Sequence, residues 1–228
     1  MNSKTYPATQ PAEEQERRYP AAQLRAQIVA VLQAWGMSAA HAEVTARLMV
    51  QTDLLGVDSH GISMLPHYDR LRGKGLVVAA EPVRVRRFGA TSLWDGRAGL
   101  GHPVAHAAMQ DAISQARLHG IAFAGVRNSH HFGAAGVYAR LASEAGLIGI
   151  VTSSAKGVLV VPTRASVPVL GTNPIAWAVP AGEGRDDVVL DIATSTSAAN
   201  KVRVRALRDQ PIPAGWVCLL YTSPSPRD

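Results

Sequence analysis

Cysteine is almost absent. The 228 residues contain one, Cys218, which excludes an internal disulfide framework and any cysteine-based metal cluster. Aromatics are sparse at 5%, too few for a base-stacking platform of the kind that holds single-stranded nucleic acid. Long apolar runs are missing, so no segment reads as a bilayer span. The N-terminus places Glu13, Glu14 and Glu16 where a secretory signal would carry an apolar core, which points to a cytoplasmic protein. Acids trail bases, 17 to 23, giving a net charge of +6 and an isoelectric point near 9.9. The arginines are dispersed, with small groups at Arg84/Arg86/Arg87 and Arg203/Arg205/Arg208. Arg203 and Arg205 alternate with valine, a pattern that suits the solvent face of a strand. Such a surface gathers small anions and carries no nucleic-acid signature.

What remains is an ordinary globular composition, 47% hydrophobic and 18% charged. Residues 1–18 are rich in Pro, Gln and Glu without periodicity and read as a mobile leader. Residues 19–80 read as helical: Leu24, Ile28, Val31, Leu32 and Trp35 share one face, Gly36 ends that helix, and Ser38 caps the next. A third helix carries Leu65, Tyr68 and Leu71. From residue 81 the pattern changes. Val83, Val85 and Arg87 alternate with Arg84 and Arg86 ahead of Gly89-Ala90-Thr91, a hairpin signal. A helix over 103–119, a strand over 121–126, a helix over 134–145 and a strand over 147–152 follow. Further strand-like runs cover 158–161, 175–179 and 188–192. Helices alternating with apolar strands imply an α/β fold with a mostly buried sheet, so 81–216 reads as an α/β core. Residues 217–228 continue no pattern, and Cys218–Asp228 resembles the translation of a transposon-type sequencing-library adaptor. That stretch is set aside from fold reasoning, and the core before it is read as incomplete.

Two runs concentrate chemistry. Asn128-Ser129-His130-His131-Phe132-Gly133 lies between a strand and a helix, where free backbone N–H groups favour negative charge. Asp58-Ser59-His60-Gly61 is small, polar and titratable, just ahead of another helix. Imidazoles titrate near neutrality and so exchange protons at physiological pH. These two runs are expected to meet in space and handle a proton. Gly99-Leu100-Gly101-His102-Pro103-Val104 lacks the third glycine and the downstream acid of a dinucleotide fingerprint, so it reads as a turn opening a helix. His102 and His106 stand four apart, a zinc-capable spacing, but no glutamate lies between them, and they read as a partly exposed pair with no metal assigned. Gly171-Thr172-Asn173-Pro174 reads as a tight turn. Asp191-Ile192-Ala193-Thr194-Ser195 follows a strand, at the end where α/β sheets bind ligands, and can also cap a following helix.

Together, Gly56-Val57-Asp58-Ser59-His60-Gly61, Leu65-Pro66-x-Tyr68, Asn128-Ser129-x-His131-Phe132-Gly133, Gly171-Thr172-Asn173-Pro174 and Asp191-Ile192-Ala193-Thr194-Ser195 resemble the malate/L-lactate dehydrogenase type 2 family, from about Tyr19 to Trp216. The resemblance implies a non-Rossmann α/β fold with a mixed central sheet. It also implies hydride transfer between NAD or NADP and a small 2-hydroxy or 2-oxo acid, and homodimers with the site near the subunit interface. By position, His131 matches the acid/base histidine of some members and His60 the proton donor of others, and both remain open. Ser59 and Tyr68 match substrate-side positions. Asp191, Ile192 and Ala193 match a cofactor-contacting stretch, with Thr172 and Asn173 as neighbours and Lys201 as a recurrent lysine. Met64 stands where many members carry an arginine able to hold a carboxylate, a bidentate contact that methionine cannot make. Three rival readings stand beside this one: a histidine-rich metal-dependent hydrolase or lyase, a non-catalytic basic interaction module, and an inactive fragment.

Overall fold

A computed structural model describes residues 18–155, 157–162 and 164–217. Most of the expected leader and adaptor-like tail therefore lies outside the described residues. Helices α1 (Ala21–Ala34) and α2 (Ala39–Leu54) pack against each other, with Ser38 accepting from the His41 N–H at the start of α2. A 3₁₀ turn, Ile62–Met64, leads into α3 (Leu65–Gly73). Ile28 and Leu32 of α1, Met49 of α2, and Met64 and Tyr68 form one buried cluster. Each large apolar side chain buried there contributes roughly 1.5–3 kcal/mol. Met64 is thus spent on the core.

Two small sheets follow. The first orders β1 (Val83–Phe88), β2 (Thr91–Asp95) and β3 (Phe123–Arg127), with β1–β2 antiparallel and β2–β3 parallel. Between β2 and β3 runs α4 (Gly101–His119). Arg84 and Arg87 of β1 both reach Asp111 on α4, Arg84 at 3.0 Å, so part of the basic charge fastens hairpin to helix. Helix α5 (Gly136–Ser143) then precedes the second sheet, the antiparallel β4 (Gly149–Thr152), β5 (Ile175–Val179) and β6 (Val188–Ile192). Ala176 and Ala178 of β5 are buried against Ala135 and Ala139, because the alanines let α5 lie close to the sheet.

Four expectations need correction. The sheets are not mostly buried: helix α5 covers one face of the second sheet and leaves the other exposed. On that outer face Ile150, Trp177 and Leu190 form one cross-strand row, with Ile175–Ile192 and Val179–Val188 beside it. A continuous apolar run was read as two-sided burial when the alternation is alanine inward and large residues outward. Residues 158–161 make only an isolated bridge, Val160 with Leu170. Arg203 and Arg205 lie on helix α6 (Ala199–Leu207), not on a strand; two valine–arginine repeats are too short to separate the two periods. His102 is fully buried rather than partly exposed, because the start of α4 sits beneath the 128–133 loop.

Candidate active site

The two histidine runs meet. The His60 and His131 rings stack with centroids 5.5 Å apart and planes 29° from parallel. The Ser59-His60 loop is fixed from three sides. On α2, Asp53 accepts the Ile62 N–H at 2.9 Å. From α6, the Asn200 amide donates to the Ser59 carbonyl, and Arg208 pairs with Asp58 at 2.9 Å. Ser59 is buried, and its Oγ lies 2.8 Å from His60 Nδ1. The second loop begins at Asn128 and ends at Gly133, both with left-handed φ of 50° and 78°, which fold it back over α4. His131 Nδ1 lies 2.7 Å from the Tyr68 hydroxyl and 3.3 Å from the Gly133 amide. Tyr68 is buried and stands edge-on to His102, 5.9 Å between centroids.

Burial dominates the electrostatics. It pushes His131 down to about 3, helped by the neighbouring His60, His102 and His67. His102 is pushed down to about 3 by burial alone, and among the described residues neither of its ring nitrogens has a hydrogen-bond partner. His60 is lowered less simply: burial acts first, the Asp191 carboxylate opposes it, and Lys201 adds to it. Burial holds the Tyr68 phenol well above its ordinary value. It also raises Asp53 to about 6, against the Ile62 hydrogen bond that favours its carboxylate.

The remaining expected residues divide. Asp191 and Lys201 lie close enough to bear on His60. Asp191 also accepts the Gly136 N–H at 2.7 Å, so it caps the earlier helix α5 rather than the following α6. Thr172 accepts at its carbonyl from Thr194, N–H and hydroxyl, at 2.9 and 3.0 Å. Asn173 accepts the Ala155 N–H at 2.9 Å. Thr172 thus fastens the 171–174 turn to the segment after β6, and Asn173 fastens it to the segment after β4. Ile192 is exposed on the sheet's outer face and Ala193 is half-buried beyond it. Lys201, Arg205, Arg208, Asp58 and Trp216 line a cleft of about 200 Å³ beside the Ser59-His60 loop.

Sequence reasoning missed three contributors. His102 had been read as partly exposed, although the apolar Met109 and Ile113, seven and eleven positions on, share its face of α4. Asn200 bore no motif at all. Asp53 carried a signal in retrospect: an acid eight residues ahead of a loop glycine.

Comparison with known proteins identifies the family and the fold. The family model for malate/L-lactate dehydrogenase matches residues 19–219. A malate dehydrogenase of Pyrococcus abyssi is 38% identical over 200 residues, covering 87% of this chain and 54% of the relative. An L-lactate dehydrogenase of Cupriavidus necator is 36% identical over 190 residues, covering 82% and 54%. Among solved structures, malate dehydrogenase from Entamoeba histolytica superposes with a TM-score of 0.82 at 30% identity, covering 88% of this chain and 55% of that one. Delta1-piperideine-2-carboxylate reductase from Pseudomonas syringae gives 0.77 at 32% identity, covering 87% and 60%. The chain spans about half the length of the curated relatives it matches. With a mixed α/β fold, N-terminal helices and two small sheets, and with the family model matched over most of its length, the chain belongs to the malate/L-lactate dehydrogenase family.

Proposed function

We propose that this chain forms the proton-handling part of an NAD(P)-dependent oxidoreductase acting on a small 2-hydroxy or 2-oxo acid. The observation that carries the reading is the stacking of His60 on His131, from loops 71 positions apart in sequence. The residues also fit a dinucleotide. The cleft beside His60 presents Lys201 and Arg205, the latter over the Trp216 ring, with Arg208 paired to Asp58 at its wall; its cations suit phosphate. Lys201, Asp191, Ile192, Ala193, Thr172 and Asn173 are the residues assigned to hold it, and Ser59 and Tyr68 those assigned to the substrate side. When bound, nicotinamide supplies or accepts the hydride.

The chain's own groups handle the oxygen. As the carbonyl is reduced, negative charge grows on its oxygen, and an imidazole within reach lowers that charge by hydrogen bonding and proton transfer. Both rings are largely withdrawn from water, which strengthens such interactions. Met64 offers no cation to the carboxylate of the acid, so either another arginine, such as Arg70 on α3, takes that role or the substrate differs from a simple 2-oxo acid. Among the described residues no group of three or more metal-ligating side chains comes together, and no observation favours the hydrolase reading.

The test is consumption of NADH and NADPH by this chain against a panel of 2-oxo acids, paired with a binding titration of each nucleotide. Turnover is expected to fall in both His60→Ala and His131→Ala while nucleotide binding persists. Undiminished turnover in both variants would remove the proposal.

A further inference from the structure

The two imidazoles have partners of different kinds, and the difference assigns them different work. We propose that the Gly133 amide and the Tyr68 hydroxyl together hold His131 as the neutral tautomer protonated at Nε2, making it a fixed hydrogen-bond donor, while His60 is the ring that gains and loses a proton. The tautomer does not depend on the oxidoreductase reading, but the substrate oxygen on which the rings act does.

A backbone N–H can only donate. The Gly133 amide lies 3.3 Å from His131 Nδ1 with its hydrogen directed at that nitrogen, so Nδ1 is an acceptor and bears no proton. The Tyr68 hydroxyl, 2.7 Å from the same atom, then donates as well, and as the shorter contact it is the stronger one. Burial keeps its phenol protonated, so the donor is always available. In the neutral ring the one proton must therefore sit on Nε2. Forming the imidazolium would set Nδ1–H against the Gly133 N–H. The groups around the ring, His60, His102 and His67, add no negative charge to offset that.

The arrangement needs glycine at 133. Its φ of +78° turns the amide back onto the ring two residues earlier, and a Cβ there would stand 3.0 Å from His102 Nε2. Any other residue is strained in that backbone conformation.

His60 contrasts at each point. Its Nδ1 faces the Ser59 hydroxyl, which donates to a bare nitrogen or accepts from a protonated one. Both protonation states therefore keep a partner. Among the charges that bear on His60, Asp191 and Asp58 favour the imidazolium and Lys201 opposes it. In the reducing direction the carbonyl carbon takes up the hydride and the oxygen takes a proton from the His60 imidazolium. His60 leaves the step neutral and recovers its proton from solvent. Throughout, His131 keeps its Nε2 proton and lends it to the oxygen as a hydrogen bond. A neutral donor does not bind the product alkoxide as an ion pair.

The experiment is long-range ¹H–¹⁵N correlation on the chain labelled at histidine, recorded from pH 8 to 5. The expected spectrum shows His131 protonated at Nε2 and bare at Nδ1 throughout, while His60 moves with pH. In Tyr68→Phe the tautomer ratio of His131 should shift toward Nδ1–H by up to about tenfold, the change that losing one ordinary hydrogen bond allows. An Nδ1–H or imidazolium signal for His131 in the wild-type chain overturns the proposal, even if the variant does not fold. An unshifted ratio in folded Tyr68→Phe overturns the part given to Tyr68. Absence of turnover with the expected spectrum would instead count against the oxidoreductase reading alone.

Discussion

Replacing Gly61 by alanine probes how the Ser59-His60 loop is held. A Cβ at position 61 would lie 1.9 Å from Asp53 Oδ1 and 2.2 Å from its Cγ. The carboxylate must retreat by at least about 1 Å before even a tight contact of 3.0 Å is reached. Asp53 is short and anchored on α2, so it can retreat only by leaving the Ile62 N–H, now 2.9 Å away. Losing a hydrogen bond to a charged acceptor costs about 1.5–3 kcal/mol, and residual overpacking adds about 1 kcal/mol or more. The expected destabilisation is about 2–4 kcal/mol, read by urea unfolding. A double-mutant cycle isolates the cause. In an Asp53→Ala background the space that the Cβ would enter is empty, and Gly61→Ala should cost clearly less than it does beside Asp53. The two single costs should therefore fail to add by at least about 1 kcal/mol. Gly61→Ala within about 0.5 kcal/mol of wild type, or strict additivity in the cycle, would refute the reasoning.

Other outcomes follow from the same site. Burial pushes Asp53 up to about 6 from its ordinary 3.8, so the folded chain holds its proton more tightly. Its contribution is present below pH 3.8 and is lost as pH rises through 6; unfolding of wild type against Asp53→Asn at pH 3.5 and pH 7 should show the difference shrinking or changing sign. Its partial exposure screens the magnitude. His131 and His102 shift the other way, to about 3 from 6.5. Their contribution is present above pH 6.5 and lost as pH falls toward 3, with a limiting slope of up to about 2.7 kcal/mol per pH unit for the pair. His102→Met should flatten that slope by about half in acid unfolding curves and leave stability at pH 7 unchanged or raised, since no partner of its ring is lost; a large loss at pH 7 would contradict this. Asp191→Ala removes the carboxylate that caps α5 at Gly136 and should cost about 0.5–2 kcal/mol, with His60 titrating lower because a favourable charge is gone; an unmoved His60 signal by NMR would count against that.

The legible part of this molecule was local. Ser38 as a cap, the break at Gly36, and the strands 175–179 and 188–192 all followed from short patterns that the fold does not override. The meeting of His60 with His131 was also expected, because each sat in a small polar loop before a helix. What escaped was set by packing between distant segments. His102 became a core residue when the 128–133 loop closed over α4, and Asp191 capped a helix 55 positions earlier. The outer face of the second sheet was misjudged because alanine and isoleucine both register as apolar, while their sizes decide which side a helix can approach.

That outer face also governs handling. Trp177, Leu190, Ile175 and Ile192 meet water as a continuous oily surface on a chain of modest positive charge. Sulfate and phosphate buffers, which are excluded from protein surfaces and reward the burial of such area, should salt this protein out well below the concentrations that chloride permits. Dilute, low-ionic-strength samples are therefore the practical regime for every spectrum described above.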